Sequence, residues 1–306
     1  MMATPHALAV IGVGKIARDR HLPAIAADPA FHLVATVDPH ASVDGVPNYA
    51  SLGALLADGR SIDAVSICTP PAMRAPIVLA AFEAGLHVMI EKPPATSLAE
   101  VEAMRSVAGT RTFFAAWHSR EAAGVAPARA WLADKRIERV TIEWRENIRH
   151  WHPGQDWILA EGGFGVFDPG INALSILTAI LPERVDLTAA SIEVPEGRQS
   201  PLAARLEMRS GAVPIVATFD FLQLGEQTWT IDVETDAGSL SLRDGGKVLV
   251  VDGKSETGVN AEYPRLYRRF AELIEAGGSD VDDAPLRLTL DALARATRNK
   301  VEPFSW

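Results

Sequence analysis

Cysteine is almost missing from this chain: Cys68 is the single one in 306 residues. An internal disulfide is excluded, and the usage suits a reducing cytoplasm, which is the location expected. Cys68 closes an apolar run and reads as a small buried residue rather than a nucleophile. Tyrosine is scarce too, three against seven tryptophans. No apolar run reaches the ~18 residues of a membrane span, and the first residues lack a basic-then-apolar leader. Positive charge is in deficit, 29 Lys and Arg against 39 Asp and Glu, for a formal net charge of −10. That balance argues against nucleic acid or an anionic membrane as partner. Neither a repeat nor a low-complexity segment is visible. What the chain has in quantity is apolar residue, 48% of the total, enough for two domains with substantial cores.

The order of patterns divides the chain. Short apolar strands at Leu8–Val13, Leu33–Val37, Ala64–Cys68, His87–Ile90 and Thr112–Ala116 alternate with helical stretches such as Ile77–Ala84 and Leu98–Val107. Alternation of that kind predicts a parallel, doubly wound sheet. After a helix near Ala126–Ala133 the strands follow one another: Val140–Trp144, Val185–Val194, Ala203–Met208, Ile215–Leu222, Thr228–Glu234, Ser239–Leu242 and Val248–Val251. One helix, Gly170–Leu181, interrupts them, and two more, Arg265–Glu275 and Leu286–Thr297, close the chain. Thr228-Trp229-Thr230-Ile231-Asp232-Val233 alternates polar and apolar, as a sheet with one covered face should. The expected fold is an α/β N-terminal Rossmann domain, residues 1–118, plus an α+β C-terminal domain, residues 119–306, with a large, mainly antiparallel open sheet. Aromatic and aliphatic residues are plentiful in the second half, so a second subunit is expected on its uncovered face, giving a homo-oligomer and most simply a dimer.

The first strand runs into Gly12-Val13-Gly14-Lys15-Ile16-Ala17, and the second ends at Asp38. Gly12 can take the dihedrals of a tight strand-to-helix turn. Gly14 lets a pyrophosphate approach the backbone, and Ala17 is small enough for helix to pack on strand. The N–H groups at Lys15 and Ile16, at the positive end of the helix dipole, would face the phosphates. Asp38 stands 24 positions after Gly14, close to the usual ~20. Its carboxylate can accept the ribose hydroxyls and would repel a 2′-phosphate, so NAD is expected over NADP, with His40 able to soften the repulsion when protonated.

Other candidates cluster at strand ends, where doubly wound sheets bind ligands. Thr69-Pro70-Pro71 follows the third strand and Glu91-Lys92-Pro93-Pro94 the fourth. Lys92 can donate to a hydroxyl or pass a proton; from position alone, a solvated lysine before a proline-rich turn reads equally well. His118 lies at the domain junction. Glu146 and Arg149-His150-Trp151-His152-Pro153-Gly154 follow a strand of the second half. His150 and His152 resemble a metal pair, but no further Cys or acidic ligand completes it, so no metal is expected. In Glu161-Gly162-Gly163-Phe164-Gly165-Val166-Phe167-Asp168-Pro169-Gly170-Ile171-Asn172, the glycines are expected to let backbone approach a ligand. Asp168 opens a helix with Asn172 one turn on, on the same face; a helix-capping role for Asp168 is compatible with an active-site one. Trp131 sits in a helical pattern and reads as core, which leaves Trp151 and Trp229 as candidate platforms for an apolar ligand face.

Taken together, Gly12-x-Gly14, Thr69-Pro70-Pro71, Glu91-Lys92-Pro93 and the glycine-rich segment before Asp168 resemble the glucose–fructose oxidoreductase/inositol dehydrogenase/MocA family over nearly the whole chain. The resemblance implies that Lys92 and an Asp-x-x-x-His pair act on a substrate hydroxyl, with Gly12, Gly14, Lys15, Ile16, Asp38, Thr69, Pro70, Glu91 and Lys92 at the cofactor. The chain departs from the pattern at Asn172, which replaces the histidine and cannot serve as a base near neutral pH. Proton removal then falls to Asp168 or Lys92. The strings Gly14-Lys15-Ile16-Ala17-Arg18-Asp19-Arg20-His21-Leu22-Pro23, Trp117-His118-Ser119-Arg120, Trp151-His152-Pro153-Gly154-Gln155 and Phe167-Asp168-Pro169-Gly170-Ile171-Asn172 look like bacterial L-arabinose and D-galactose 1-dehydrogenases. By that likeness the substrate is an aldopyranose oxidised at its anomeric hydroxyl to a lactone. His118, Glu146, Trp151, His152, Asp168, Asn172 and Trp229 would line the sugar site. Another cyclic substrate (an inositol, an amino sugar or a dihydrodiol) and a non-catalytic sugar or dinucleotide sensor are the alternatives.

Overall fold

The structure, a computed structural model, describes residues 4–259 and 261–306. It divides into two compact units. One comprises Met1–His118 with Glu262–Asp283, the other Ser119–Ala261 with Ala284–Trp306.

The first unit is built on six parallel strands: β1 (His6–Ile11), β2 (Phe31–Val37), β3 (Asn48–Tyr49), β4 (Ala64–Ile67), β5 (His87–Glu91) and β6 (Phe113–Ala116). Their order is β3-β2-β1-β4-β5-β6, the doubly wound arrangement the alternation predicts. The strands are buried on both faces, so they read as unbroken apolar runs: Ala64–Ile67 is buried at every position. Strand order reverses between β1 and β4. Gly12, Asp38, Thr69 and Lys92 follow the C-terminal ends of β1, β2, β4 and β5, where such sheets bind ligands.

The strand–helix alternation predicts a first domain of residues 1–118, yet its core extends further along the chain. The helix Glu262–Ala276 carries Tyr263, Leu266, Tyr267, Phe270 and Leu273 on one face, and these pack with Leu8, Val10, Phe31, Met89 and Phe114 of the parallel sheet. Phe270 stacks on Phe31 with ring centroids 5.5 Å apart. The amphipathic period is legible in sequence, but the surface such a helix covers is not.

The second unit is a nine-stranded sheet: β7 (Ile137–Arg145), β8 (Val185–Pro195), β9 (Ala203–Ser210), β10 (Val213–Asp220), β11 (Thr228–Thr235), β12 (Gly238–Arg243), β13 (Val248–Val251), β14 (Lys254–Thr257) and β15 (Thr297–Val301). The order is β14-β13-β12-β11-β7-β10-β9-β8-β15. Only β7 with β10 and β8 with β15 pair in parallel; the rest are antiparallel. Both edge strands escape the sequence reading because they are polar, Lys-Ser-Glu-Thr and Thr-Arg-Asn-Lys-Val, and carry no apolar alternation. The helix Phe167–Ile180 packs on one sheet face. Gly170 lies against the ring of Phe219, which an added Cβ would meet at 2.9 Å.

The register places Val140, Ile142 and Trp144 beside Ile215, Ala217 and Phe219 on that covered face. The opposite face carries Glu143, Arg145, Glu207, Arg209, Asp232 and Glu234. Trp144, Phe219 and Trp229 thus lie on the covered side, and the open face is charged. Among the described residues, no helix is long and apolar enough to cross a membrane.

Candidate active site

In the first unit, Gly12 turns the chain out of β1 with φ +88°, and an added Cβ would meet the Thr69 amide nitrogen at 2.9 Å. Only glycine fits both demands. Around Gly14 nothing lies within 4 Å of such a Cβ, so this backbone is open to a ligand. The helical run 15–27 begins directly after it, with the unpaired N–H groups of a helix start. Lys15 is exposed and paired with Asp19 one turn on.

Asp38 Oδ2 accepts the Val13 N–H at 2.8 Å, and Oδ1 accepts the N–H groups of His40 (2.8 Å) and Ala41 (3.0 Å). Burial acts to raise its pKa, but these three backbone donors outweigh burial and hold it below the ordinary 3.8. Three of roughly four carboxylate acceptor positions are therefore in use. Arg18 braces the same loop, donating to the carbonyls of Val13 and Ser42. At the end of β4, Thr69 Oγ1 is buried without a partner in the structure. An open glycine turn, a fixed carboxylate at the end of β2 and an orphaned hydroxyl at the end of β4 fit a nicotinamide dinucleotide in this cleft.

Pro70 caps the short turn Pro71–Met73. Glu91, expected at the cofactor, has its carboxylate turned inward: it is 3% exposed and bonded to His21, Tyr263 and the Lys92 N–H. His118 Nδ1 pairs with Glu262 Oε2 at 3.1 Å, and its ring stacks on Tyr263.

The second unit holds six of the expected substrate and catalytic residues. Glu146 follows β7, is 4% exposed, and accepts the Trp229 indole N–H on Oε2 at 3.0 Å. The short helix Ile148–Trp151 is capped by Asn147, whose side chain accepts the Arg149 N–H. It delivers Trp151 against Trp229, with ring centroids 5.3 Å apart. His152 Nε2 then lies 3.7 Å from Glu146 Oε1 and 3.8 Å from Asp168 Oδ2. Asp168 occupies the first turn of the helix Phe167–Ile180, with Asn172 one turn on. One imidazole between two carboxylates, beside paired indoles, can hold several hydroxyls while an apolar face rests on a ring.

Trp144 joins this group without having been expected there. It faces inward from β7, is 4% exposed, and stacks on Trp229 at 6.1 Å, making a row of three indoles with Trp151. Its Nε1–H is buried without a partner in the structure. The alternating apolar pattern of β7 marks Trp144 as inward-facing, but nothing local tells a platform from core.

Two of the three glycines before Asp168 also differ from expectation, whereas Gly162 is open, with nothing within 4 Å of an added Cβ. Gly163 and Gly165 sit too tightly against Ile158 and Pro201 to admit any side chain. They let the chain pass close to itself, not to a ligand. Among the described residues no group of His, Cys, Asp and Glu is arranged to hold a metal ion.

Comparison with known proteins bears on both units. A family model described as "Oxidoreductase family, NAD-binding Rossmann fold" (GFO_IDH_MocA) matches residues 7–112. A galactose 1-dehydrogenase of Pseudomonas fluorescens is 41% identical, over 98% of this chain and 99% of its own. The crystal structure of a D-galactose-1-dehydrogenase protein from Rhizobium etli superposes with TM-score 0.97 at 49% identity, covering 100% of this chain and 99% of that one. A 3-ketoreductase of Actinomadura kijaniata, solved with NADP and TDP-benzene, shares the fold at TM-score 0.83 with 18% identity, over 97% of this chain and 99% of that one.

Proposed function

This chain belongs to the GFO/IDH/MocA oxidoreductase family, and from that premise we propose that it oxidises the anomeric hydroxyl of D-galactose to the lactone with a nicotinamide dinucleotide. The single observation that carries the reading is the grouping of Asp168, His152 and Glu146 beside Trp151 and Trp229. The relatives named as galactose dehydrogenases support the same substrate.

The chemistry of the sugar fits this donor set. Galactopyranose with an axial 4-hydroxyl presents adjacent C–H groups on one ring face, which suits an indole. Its hydroxyls need donors and acceptors, which Glu146, His152, Asn172 and His118 supply. A cyclic hemiacetal is already at the aldehyde oxidation level, so loss of the C1 hydrogen and the hydroxyl proton gives the lactone directly. Bound dinucleotide supplies the hydride acceptor. Asp168 takes the hydroxyl proton, with Lys92 as the second proton-handling group and Asn172 as a binding group. Gly12, Gly14, Lys15 and Ile16 hold the pyrophosphate by backbone approach, with Thr69, Pro70 and the backbone of Glu91 beside the cofactor. A homo-oligomer through the second sheet, its contacts polar because the open face carries charges such as Glu143, Arg145 and Glu207, and a cytoplasmic location complete the proposal.

Initial rates with D-galactose and L-arabinose, each with NAD and NADP, test it. Galactose with NAD is expected to be turned over. L-Arabinopyranose, which has the same ring stereochemistry without the hydroxymethyl group, is expected as an alternative substrate. Formation of neither NADH nor NADPH from either sugar would remove the proposal. Asp38 is the expected source of NAD preference, since its carboxylate, fixed at the end of β2 by three backbone N–H groups, carries a negative charge that would repel a 2′-phosphate. Asp38→Ser is accordingly expected to raise kcat/KM for NADP relative to NAD by about tenfold, a like-charge penalty of ~1.4 kcal/mol. An unchanged ratio would take the preference away from Asp38.

A further inference from the structure

Behind the start of the Lys92 turn lies a buried polar chain that the proposed reaction leaves unused. It runs Ser66 Oγ to Tyr267 OH (2.9 Å), Tyr267 OH to His21 Nδ1 (2.8 Å), His21 Nε2 to Glu91 Oε1 (3.0 Å), and Tyr263 OH to the same oxygen (2.7 Å). His21 is 1% exposed and Glu91 3%. His21 comes from the π turn Ala17–His21 just after the glycine turn, and the tyrosines from the helix Glu262–Ala276. Burial works against charge on both partners. Even so, hydrogen bonding and attraction to His21 hold Glu91 down at about 2, and the Cys68, Tyr267 and Glu91 neighbours raise His21 well above 6.5.

A buried ion pair is a poor way to gain stability, because well-packed apolar residues of the same volume commonly do as well or better. The use of this one shows in its free oxygen. Glu91 Oε2 accepts the Lys92 N–H at 2.9 Å. Buried Arg74 works on the same turn from the other side, donating to the carbonyls of Glu91 (2.5 Å) and Pro93 and, through Nε, to that of Thr69 (2.7 Å). The backbone at Lys92 is thus fixed through its own N–H and through the carbonyls on either side.

We propose that Glu91 is a positioning residue for Lys92, held in place by His21 and Tyr263. The carboxylate clamps the Lys92 amide, so that the ammonium group starts from one fixed point at the end of β5. The inference rests on the proposed function for the role of Lys92 in turnover, though not for the clamp itself.

A double-mutant cycle with an exchange measurement tests it. Glu91→Gln is expected to lower kcat for galactose by roughly 10- to 100-fold, the scale of a small misplacement, with the KM values for galactose and NAD changing less than about threefold. In a Lys92→Ala background the same change is expected to alter kcat by less than about twofold, because its effect passes through Lys92. Equal costs in both backgrounds, or no cost in the wild type, would overturn the positioning role. Tyr263→Phe removes one hydrogen bond to Glu91 with little change of volume. It serves as the second variant should Glu91→Gln fold poorly, and a smaller loss of the same non-additive kind is expected. Hydrogen exchange at the Lys92 amide is read independently of turnover. It is expected to quicken by at least about tenfold in either variant, and unchanged exchange sinks the clamp. Wild-type turnover in Lys92→Ala would instead strike the proposed function, and the exchange measurement would still decide the clamp.

Discussion

Asp168→Ala is expected to lower kcat for galactose by about 10²–10⁴-fold, the span of a lost general base. That corresponds to ~2.7–5.4 kcal/mol at the transition state. The same carboxylate in the first turn of the helix Phe167–Ile180 is worth only ~0.3–1 kcal/mol to the helix through its dipole. The two contributions differ enough to be told apart: rate collapses while the unfolding midpoint barely moves. Glu146 is a poor stand-in, being 4% exposed with one oxygen bonded to the Trp229 indole and the other facing His152. Asp168→Asn keeps the shape and loses the base, so its kcat is expected to fall on the same scale with KM for galactose nearly kept. NADH binding, followed by fluorescence, is expected to stay within about twofold of wild type in both variants. Turnover within a few-fold of wild type would assign proton removal elsewhere, with Lys92 next in line.

The largest expected effect on stability comes from His21→Leu. It leaves the Glu91 carboxylate buried without its cationic partner, a defect that costs about 3–5 kcal/mol. In a domain of this size that lowers the unfolding midpoint by roughly 6–20 °C. Adding Glu91→Leu removes the stranded charge, so the double variant is expected to recover much of the loss while staying slow in turnover. A double variant less stable than His21→Leu would contradict this account of the pair.

The pair also sets a pH window. Glu91 sits at about 2 in the folded chain against an ordinary 4.5. Its contribution is therefore complete above about 4.5 and is lost as pH falls toward about 2. His21 is raised well above its ordinary 6.5. Its contribution is complete below about 6.5 and is lost as pH rises through the folded value. The stability difference between wild type and the double leucine variant is thus expected to be greatest near pH 4.5–6.5 and to narrow on either side, as thermal melts across pH would show.

Much of the cofactor half was legible because its determinants are local. A glycine turn, the strand before it, the helix after it and an acid at the end of the next strand are close in sequence, and each constrains backbone or charge by itself. Asp38 could be chosen for that reason. The inward turn of Glu91 could not, since Tyr263, one of its two side-chain partners, lies in a helix 172 positions away. In the second half, the alternation of β7 and β11 gave the strands, but not their pairing or the edges β14 and β15.

By itself, then, the sequence determined two kinds of domain, a dinucleotide-binding turn, the family resemblance and a set of polar and aromatic candidates. Local backbone demands and the periodicity of burial leave their mark residue by residue. Only the tertiary structure decided that Glu262–Ala276 completes the first core, that Trp144 joins Trp151 and Trp229, that His152 lies near both Glu146 and Asp168, and that the open sheet face is charged. These depend on which distant surfaces meet, and that is settled by the summed packing of many side chains rather than by any short stretch of chain.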